Sequence, residues 1–311
     1  MSITNVFAAS STAVGNDNGL KISPVRTDLT IAPGKSAVLS LYIQNLTPSA
    51  AKLQVIINDF TTTGSAGIPA LYLKNTNIFN PHSLKQFIAP VGDISLAPGQ
   101  ESTVKVDIKI PTNALGGGYY GAVRFAPANL DSTKSVSLSA SVASLILVTV
   151  PGPNLREQLN LSSFTVHQNN QASSLFFSSK GLSIVSGFSN TGNVQEEPFG
   201  KVTLKNLNGQ VILVKEINNA IPAGNVLPSS SRNFSVALSG IGSFGKYTVT
   251  GNFGYGTTGQ LLSATTTFYV VAPWLIGLII FIVLLIIFGI WGMPKLFRTW
   301  YKRSIKTSEP K

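Results

Sequence analysis

Residues Trp274 to Met293 read WLIGLIIFIVLLIIFGIWGM, a run of 20 positions without a charged side chain. At a helical rise this run covers ~30 Å, the depth of a bilayer hydrocarbon core. A helix apolar on every side suits lipid better than the half-wet surface of a globular domain. Trp274 and Trp291 stand near its two ends, where indole rings prefer the membrane interface. Pro273 precedes it, a position that tolerates a missing N–H. Lys295, Arg298, Lys302 and Arg303 follow at once. The positive-inside rule then predicts a membrane helix over 273–293, a basic cytoplasmic tail over 294–311, and everything before the helix outside the cell membrane. These residues are the expected bilayer contacts.

Charge and composition narrow the rest. Only 11% of the 311 residues are charged, too few for a disordered polyelectrolyte or a long coiled coil. There is no cysteine, which removes disulfides, zinc fingers, iron–sulfur ligation and thiol chemistry. The only histidines are His82 and His167. Residues 295–311 contribute +5 of the net +11, with six basic side chains against Glu309. The remaining lysines are scattered and form no dense basic patch among aromatics, so no nucleic-acid partner is expected.

An outward-facing chain needs an export signal. Val6-Phe7-Ala8 resembles the end of a cleavage site, but a basic start and a long apolar stretch are missing before it. Residues 1–19 are read either as the remnant of a signal peptide whose start lies upstream or as an ordinary flexible N-terminus.

Between residues 20 and 272 the dominant period is two. Thr103 to Ile110 reads TVKVDIKI, with Val104, Val106, Ile108 and Ile110 alternating against Lys105, Asp107 and Lys109. This is a half-buried strand. Ser36–Leu46, Tyr119–Phe125, Ser135–Val150, Leu182–Ser189, Lys201–Leu207, Gln210–Ile217, Phe234–Leu238, Tyr247–Phe253 and Leu261–Val271 read the same way. Ala-Pro-Gly occurs at Ala32-Pro33-Gly34 and again at Ala97-Pro98-Gly99, each just before a strand, as a tight turn would be. Asn208-Gly209 marks a hairpin in which both residues tolerate positive φ. Pro151-Gly152-Pro153 ends a long strand and predicts a boundary. The expected fold is all-β: two tandem Ig-like antiparallel β-sandwiches, 20–152 and 153–272, followed by the C-terminal transmembrane helix.

Ile22-Ser23-Pro24, the Ala-Pro-Gly turns and the segment Ala114-Leu115-Gly116-Gly117-Gly118-Tyr119-Tyr120-Gly121 resemble the N-terminal domain of the WxL-interacting proteins of Gram-positive cell surfaces. The order of parts is similar too: signal peptide, two β-sandwiches, one membrane helix, basic tail. The resemblance implies a peptidoglycan-binding first domain and a second domain that binds host or surface partners. It carries over no ligand-contacting residue.

Catalytic constellations are sparse. Gly254-Tyr255-Gly256-Thr257-Thr258-Gly259 fits G-x-G-x-x-G, but a Thr-rich strand follows where a nucleotide site needs a helix, so a hairpin turn is expected. Neighbouring strand residues face opposite ways, so Glu196-Glu197 cannot flank one scissile bond and reads as a solvated loop. Asp28, Asp59, Asp93, Asp107 and Asp131 are dispersed; only loops gathered from afar could build a calcium site from them. No enzyme, cofactor or metal is expected. Gly116-Gly117-Gly118 before Tyr119-Tyr120 is the most unusual stretch, readable either as a turn into a strand or as backbone approaching a glycan, with Tyr119 and Tyr120 stacking on sugar and Arg124 donating to an anionic polymer. The expected partners are lipid bilayer and either cell-wall polymer or another surface protein; the alternative is a stalk or chaperone-like accessory subunit without a wall ligand. The sequence leaves the oligomeric state open.

Overall fold

The computed structural model describes residues 19–73, 80–128 and 141–292. Met293, the basic residues Lys295, Arg298, Lys302 and Arg303, the cleavage-site likeness at Val6–Ala8 and the start of the Ser135–Val150 run lie outside the described residues. The chain is mostly β, with several sheets and one terminal apolar helix.

The N-terminal strands are β1 Leu20–Ser23, β2 Arg26–Thr30, β3 Ser36–Asn45, β4 Ala51–Asn58, β5 Phe60–Thr63, β6 Ile68–Leu71, β7 Ile94–Leu96, β8 Glu101–Lys109, β9 Gly117–Pro127 and β10 Val142–Val150. They form sheets of order β1-β3-β8 and β2-β10-β9-β4-β7, with β5-β6 a separate hairpin. The chain passes from one sheet to the other at Pro24, between β1 and β2. Alternate residues of both sheets meet in one core that includes Leu41, Ile43, Leu53, Val106, Ile108, Val123, Phe125 and Ile146. The period-two pattern is thus the trace of one dry face and one wetter face per strand.

A second set follows: β11 Leu159–Gln168, β12 Gln171–Ala172, β13 Leu175–Phe176, β14 Leu182–Asn190, β15 Phe199–Lys205, β16 Val211–Ile217, β17 Ser231–Ala237, β18 Phe244–Tyr255 and β19 Gln260–Val271. Its sheets run β12-β11-β14-β17 and β13-β19-β18-β15-β16 around a core containing Ile184, Phe188, Leu204, Val249, Phe253 and Phe268. Phe188 and Phe253 meet edge to face at 5.2 Å. The two sets repeat one device: β2 runs parallel to β10, and β13 runs parallel to β19, while the other strand pairs are antiparallel.

The turns match their sequence signals in detail. Lys35 N–H donates to Ala32 O and Gln100 N–H donates to Ala97 O, with Gly34 and Gly99 both at φ 73. Proline followed by left-handed glycine is the type II turn, and both copies feed a strand. The G-x-G-x-x-G segment is the β18–β19 connection, with Tyr255 opposite Gln260. At Asn208-Gly209 only the glycine adopts positive φ. Asn206 organises that turn instead, its Oδ1 accepting from the N–H groups of Asn208 and Gln210.

Helix α1, Pro273–Ile287, leaves directly from β19 and ends in a wider turn at Phe288–Gly292. The helical stretch Pro273–Trp291 has 19 residues, none of the described side chains buried against protein, and is long and apolar enough to cross a membrane.

Candidate functional site

Strand β9 places the three sequence-selected side chains on two faces. Tyr119 points into the core shared by the N-terminal sheets, whereas Tyr120 and Arg124 point away from it. Alternation separates Tyr119 from the other two, and no single ligand surface unites them. Tyr119 is 8% exposed, packs edge to face on Phe87 at 5.2 Å, and donates its hydroxyl to Leu115 O at 2.9 Å. Burial raises its pKa, the Leu115 bond opposing this. Tyr120 is 3% exposed, and burial raises its pKa further, the bond to Gln195 pulling down and the charges of Glu196 and Asp28 pushing up. The expectation of tyrosine rings stacked on sugar is corrected here: neither ring offers an open face. Arg124 donates from Nε to Asn58 Oδ1 at 3.2 Å.

The glycines also have another task. Asn193, from the β14–β15 connection, donates its side-chain amide to Gly116 O and accepts at its carbonyl from Gly118 N–H, at 3.0 and 2.7 Å. A Cβ on Gly118 would lie 2.0 Å from the Tyr120 hydroxyl. Backbone closeness at Gly116–Gly118 therefore serves contact between the two sheet pairs rather than approach to a glycan. The same seam holds the Tyr120 hydroxyl on Gln195 Oε1 at 3.0 Å and Gln195 Nε2 on Thr149 Oγ1 at 3.0 Å. Leu227 enters an apolar cluster with Phe60, Tyr120, Ala122 and Leu147.

Glu196-Glu197 is the second correction. Glu197 pairs with Arg26 across the seam at 2.5 Å, and Glu196 is 3% exposed with Oε1 lacking a partner. Burial first, then the Glu157 charge, raises the Glu196 pKa to about 7, and a hydrogen bond from Gly256 pulls the other way. The sequence shows a polar pair before Pro198; the groups that meet Glu196, Val226 through paired backbone bonds and Gly256 in the β18–β19 turn, lie thirty and sixty residues further on. His82 sits beside the seam, its Nδ1 2.7 Å from Gly118 O, so Nδ1 carries the proton. His167 lies far off, on Thr165. Among the described residues no cluster of three or more His, Asp or Glu could hold a metal.

What the sequence missed is a groove beside Tyr119. The segment Asn80–Ile88 runs along the start of β9, with Leu84 N–H donating to Tyr120 O and Tyr120 N–H to His82 O. Leu84 is fully buried, and Gly121 gives it room, since a Cβ there would lie 3.1 Å from Leu84 Cβ. Ser83 Oγ and Lys85 N–H both donate to Asp59 Oδ1, at 2.9 and 3.3 Å. Between this segment and the Pro111–Leu115 turn lies an open groove of about 530 Å³, lined by Asp59, Asn80, Ser83, Gln86, Phe87, Asn113, Leu115 and the edge of Tyr119. Amides and hydroxyls face a partly buried aromatic and the 64% exposed Leu115. That mixture suits a polar polymer with apolar faces. No motif announces it, because its walls come from separate segments spread between Asp59 and Tyr119.

Trp274 and Trp291 are 61% and 71% exposed near the two ends of the apolar helix.

No curated protein matches the chain. Among solved structures, the class 5 fimbriae chaperone CfaA is 14% identical with a TM-score of 0.37, over 80% of this chain and 99% of that one. The E. coli chaperone DraB is 13% identical with a TM-score of 0.35, over 81% and 97%. Overlap this loose supports no argument about this chain. The family model described as WxL Interacting Protein, peptidoglycan binding domain, matches residues 27–127. That range contains every residue lining the groove. Over residues 27–127, about a third of its length, the chain is similar to the peptidoglycan binding domain of the WxL-interacting proteins.

Proposed function

We propose that this is a non-catalytic, single-pass surface protein that binds cell-wall polymer in the groove beside Tyr119. The observation that carries the reading is coincidence: the groove lies wholly within the residues matched as a peptidoglycan binding domain. Asn80, Gln86 and Asn113 would meet hydroxyl and acetamido groups, while Phe87 and Leu115 would pack on the apolar faces of sugar rings. Tyr119 supports this wall from behind, and Tyr120 and Arg124 stand outside it. In this reading residues 20–152 and 153–272 are two Ig-like sandwiches outside the cell, residues 273–293 cross the membrane, and the basic tail is cytoplasmic. The C-terminal sandwich holds the groove away from the lipid, and its own partner would be another surface protein.

Sedimentation of the full chain in detergent with purified insoluble wall tests the proposal. Saturable co-sedimentation is expected. Recovery of the chain in the supernatant at every wall concentration would remove the wall ligand and favour a stalk role.

A further inference from the structure

The C-terminal sandwich has one end joined to the apolar helix. Ala272 alone separates β19 from α1. Its N–H donates to Ser243 O at 2.9 Å, and Leu275 N–H, in the first helical turn, donates to Ala272 O at 3.0 Å. Strand register fixes which residues share this end. Val271 lies opposite Phe244 in β18, and Val270 lies beside Phe176 in β13, with Phe177 next along the chain. The row before holds Leu175, Tyr269 and Lys246.

Polarity changes abruptly along the outward face of β18 and β19. Thr265 and Thr267 stand opposite Thr250 and Thr248, so the middle of this face carries hydroxyls. The last two rows, toward the helix, bring apolar and aromatic side chains instead. Phe177 is 53% exposed, Phe244 64%, and Leu175 and Tyr269 46% each. Single exposed apolar side chains are ordinary, but four gathered at one end of a sheet are not. The backbone beside them is fixed. Gln168 Nε2 donates to Ser178 O and Lys180 O at 3.2 and 2.7 Å, just after Phe177. Gly242 N–H donates to the Tyr247 hydroxyl at 2.9 Å, just before Phe244. Charge is one-sided too: residues 168–182 and 238–248 carry Lys180 and Lys246, both exposed, and no carboxylate.

The distance from the helix decides what this surface meets. Val271 and Trp274 are separated by at most ~10 Å of chain. The headgroup layer on each side of the hydrocarbon is ~5–8 Å deep. With Trp274 at the edge of the hydrocarbon, the row of Phe177 and Phe244 falls at headgroup depth. We infer that this end of the C-terminal sandwich seats in the bilayer interface. Phe177 and Phe244 lie among the headgroups, Leu175 and Tyr269 at their outer edge, and Lys180 and Lys246 against anionic lipid phosphate. The partner is the surface of the membrane that the helix crosses. A protein partner would give no reason for the apolar rows to stop where distance from the helix exceeds the interface depth. The inference rests on the reading of residues 273–293 as a membrane span.

The chain has no cysteine, so Phe177→Cys, Phe244→Cys, Leu261→Cys and Ile280→Cys can each carry one bimane fluorophore. All four positions are exposed and should tolerate the change. Leu261 is the control on the same strand, apolar but ~33 Å before Val271. Each labelled full chain is reconstituted in vesicles of phosphatidylcholine and phosphatidylglycerol. Lipid bearing a nitroxide, either on its headgroup or deep in its acyl chain, is then included as quencher. Headgroup nitroxide should quench the labels at 177 and 244 about twofold or more and leave that at 261 unchanged. Acyl-chain nitroxide should quench the label at 280. Quenching at 280 with none at 177 and 244 would overturn the seating while leaving the span intact. No quenching at 280 would remove the span and the inference with it. Blue-shifted emission at 177 and 244 without lipid quenching would mean that protein covers this surface, and would overturn the lipid assignment.

Discussion

The Tyr120 hydroxyl donates to Gln195 Oε1 at 3.0 Å across the seam between the two sheet pairs, and the same glutamine donates to Thr149. One half-buried side chain thus links β9, β10 and the connection after β14. Tyr120→Phe removes this bond and little else, because the ring keeps its edge contact with Phe60 at 6.1 Å. A loss of about 1 kcal/mol is expected, with part of Gln195 left unbonded. Thermal unfolding of the full chain checks this. Tyr120→Ala should cost more, about 3–5 kcal/mol, since it also opens a cavity.

Gly118→Ala probes the seam from the other side. The new methyl would fall on the Tyr120 hydroxyl and within 2.9 Å of Gln195 Oε1. The clamp must open to admit it. We expect a larger loss than in Tyr120→Phe and faster proteolysis at Pro151–Pro153. Equal cleavage of the variant and the parent would argue that the seam does not hold the two sheet pairs together.

Glu196 gives the chain a pH dependence with a definite sign. Its folded pKa, about 7, lies above the ordinary carboxylate value of 4.5. Between these values the folded chain holds a proton that the unfolded chain has released. Stability therefore falls as pH rises from about 4.5 to 7 and levels off above, by about 3 kcal/mol at most. Glu196→Gln should flatten the fall and melt higher than the parent at pH 8, with little difference at pH 4. A Glu196→Gln chain less stable at pH 8 would contradict a buried carboxylate whose Oε1 has no partner.

Asn45 and Asn190 occupy matching places at the ends of β3 and β14. Each donates its amide to a carbonyl four residues on, Ser49 O or Val194 O, and accepts from an N–H two residues on. Each also reaches a distant segment, at Leu96 O in β7 or at Val226 O between β16 and β17. Alanine at either position should cost about 2–3 kcal/mol by leaving buried carbonyls unpaired. Denaturant titration of each variant measures it, and a neutral result at both would remove the asparagines as repeated fasteners.

These asparagines also show where sequence reading stops. Asn45-Leu46-Thr47 has the form of a glycosylation triplet, yet Asn45 is fully buried and spent on backbone bonds. Local signals were legible: the Ala-Pro-Gly turns, the alternation of β8, the β18–β19 hairpin and the apolar helix each depend on a few neighbouring residues. Tyr120, Glu196 and the groove depend on partners dozens of residues away. Alternation showed that Tyr119 and Tyr120 face opposite ways, but not that Leu227 and Gln195 would cover one of those faces. The charged look of Glu196 hid a buried place because the groups that meet it, at Val226 and Gly256, lie far along the chain.

The most direct test of wall binding substitutes the groove and leaves the seam alone. Gln86, Asn113 and Leu115 are exposed, so Gln86→Ala, Asn113→Ala and Leu115→Asp together should leave unfolding within about 1 kcal/mol of the parent. The full chain carrying all three, sedimented with purified insoluble wall, should bind about tenfold or more weakly, while Tyr120→Phe binds as the parent does. Undiminished sedimentation of the triple variant would contradict the account and move the wall ligand to another face.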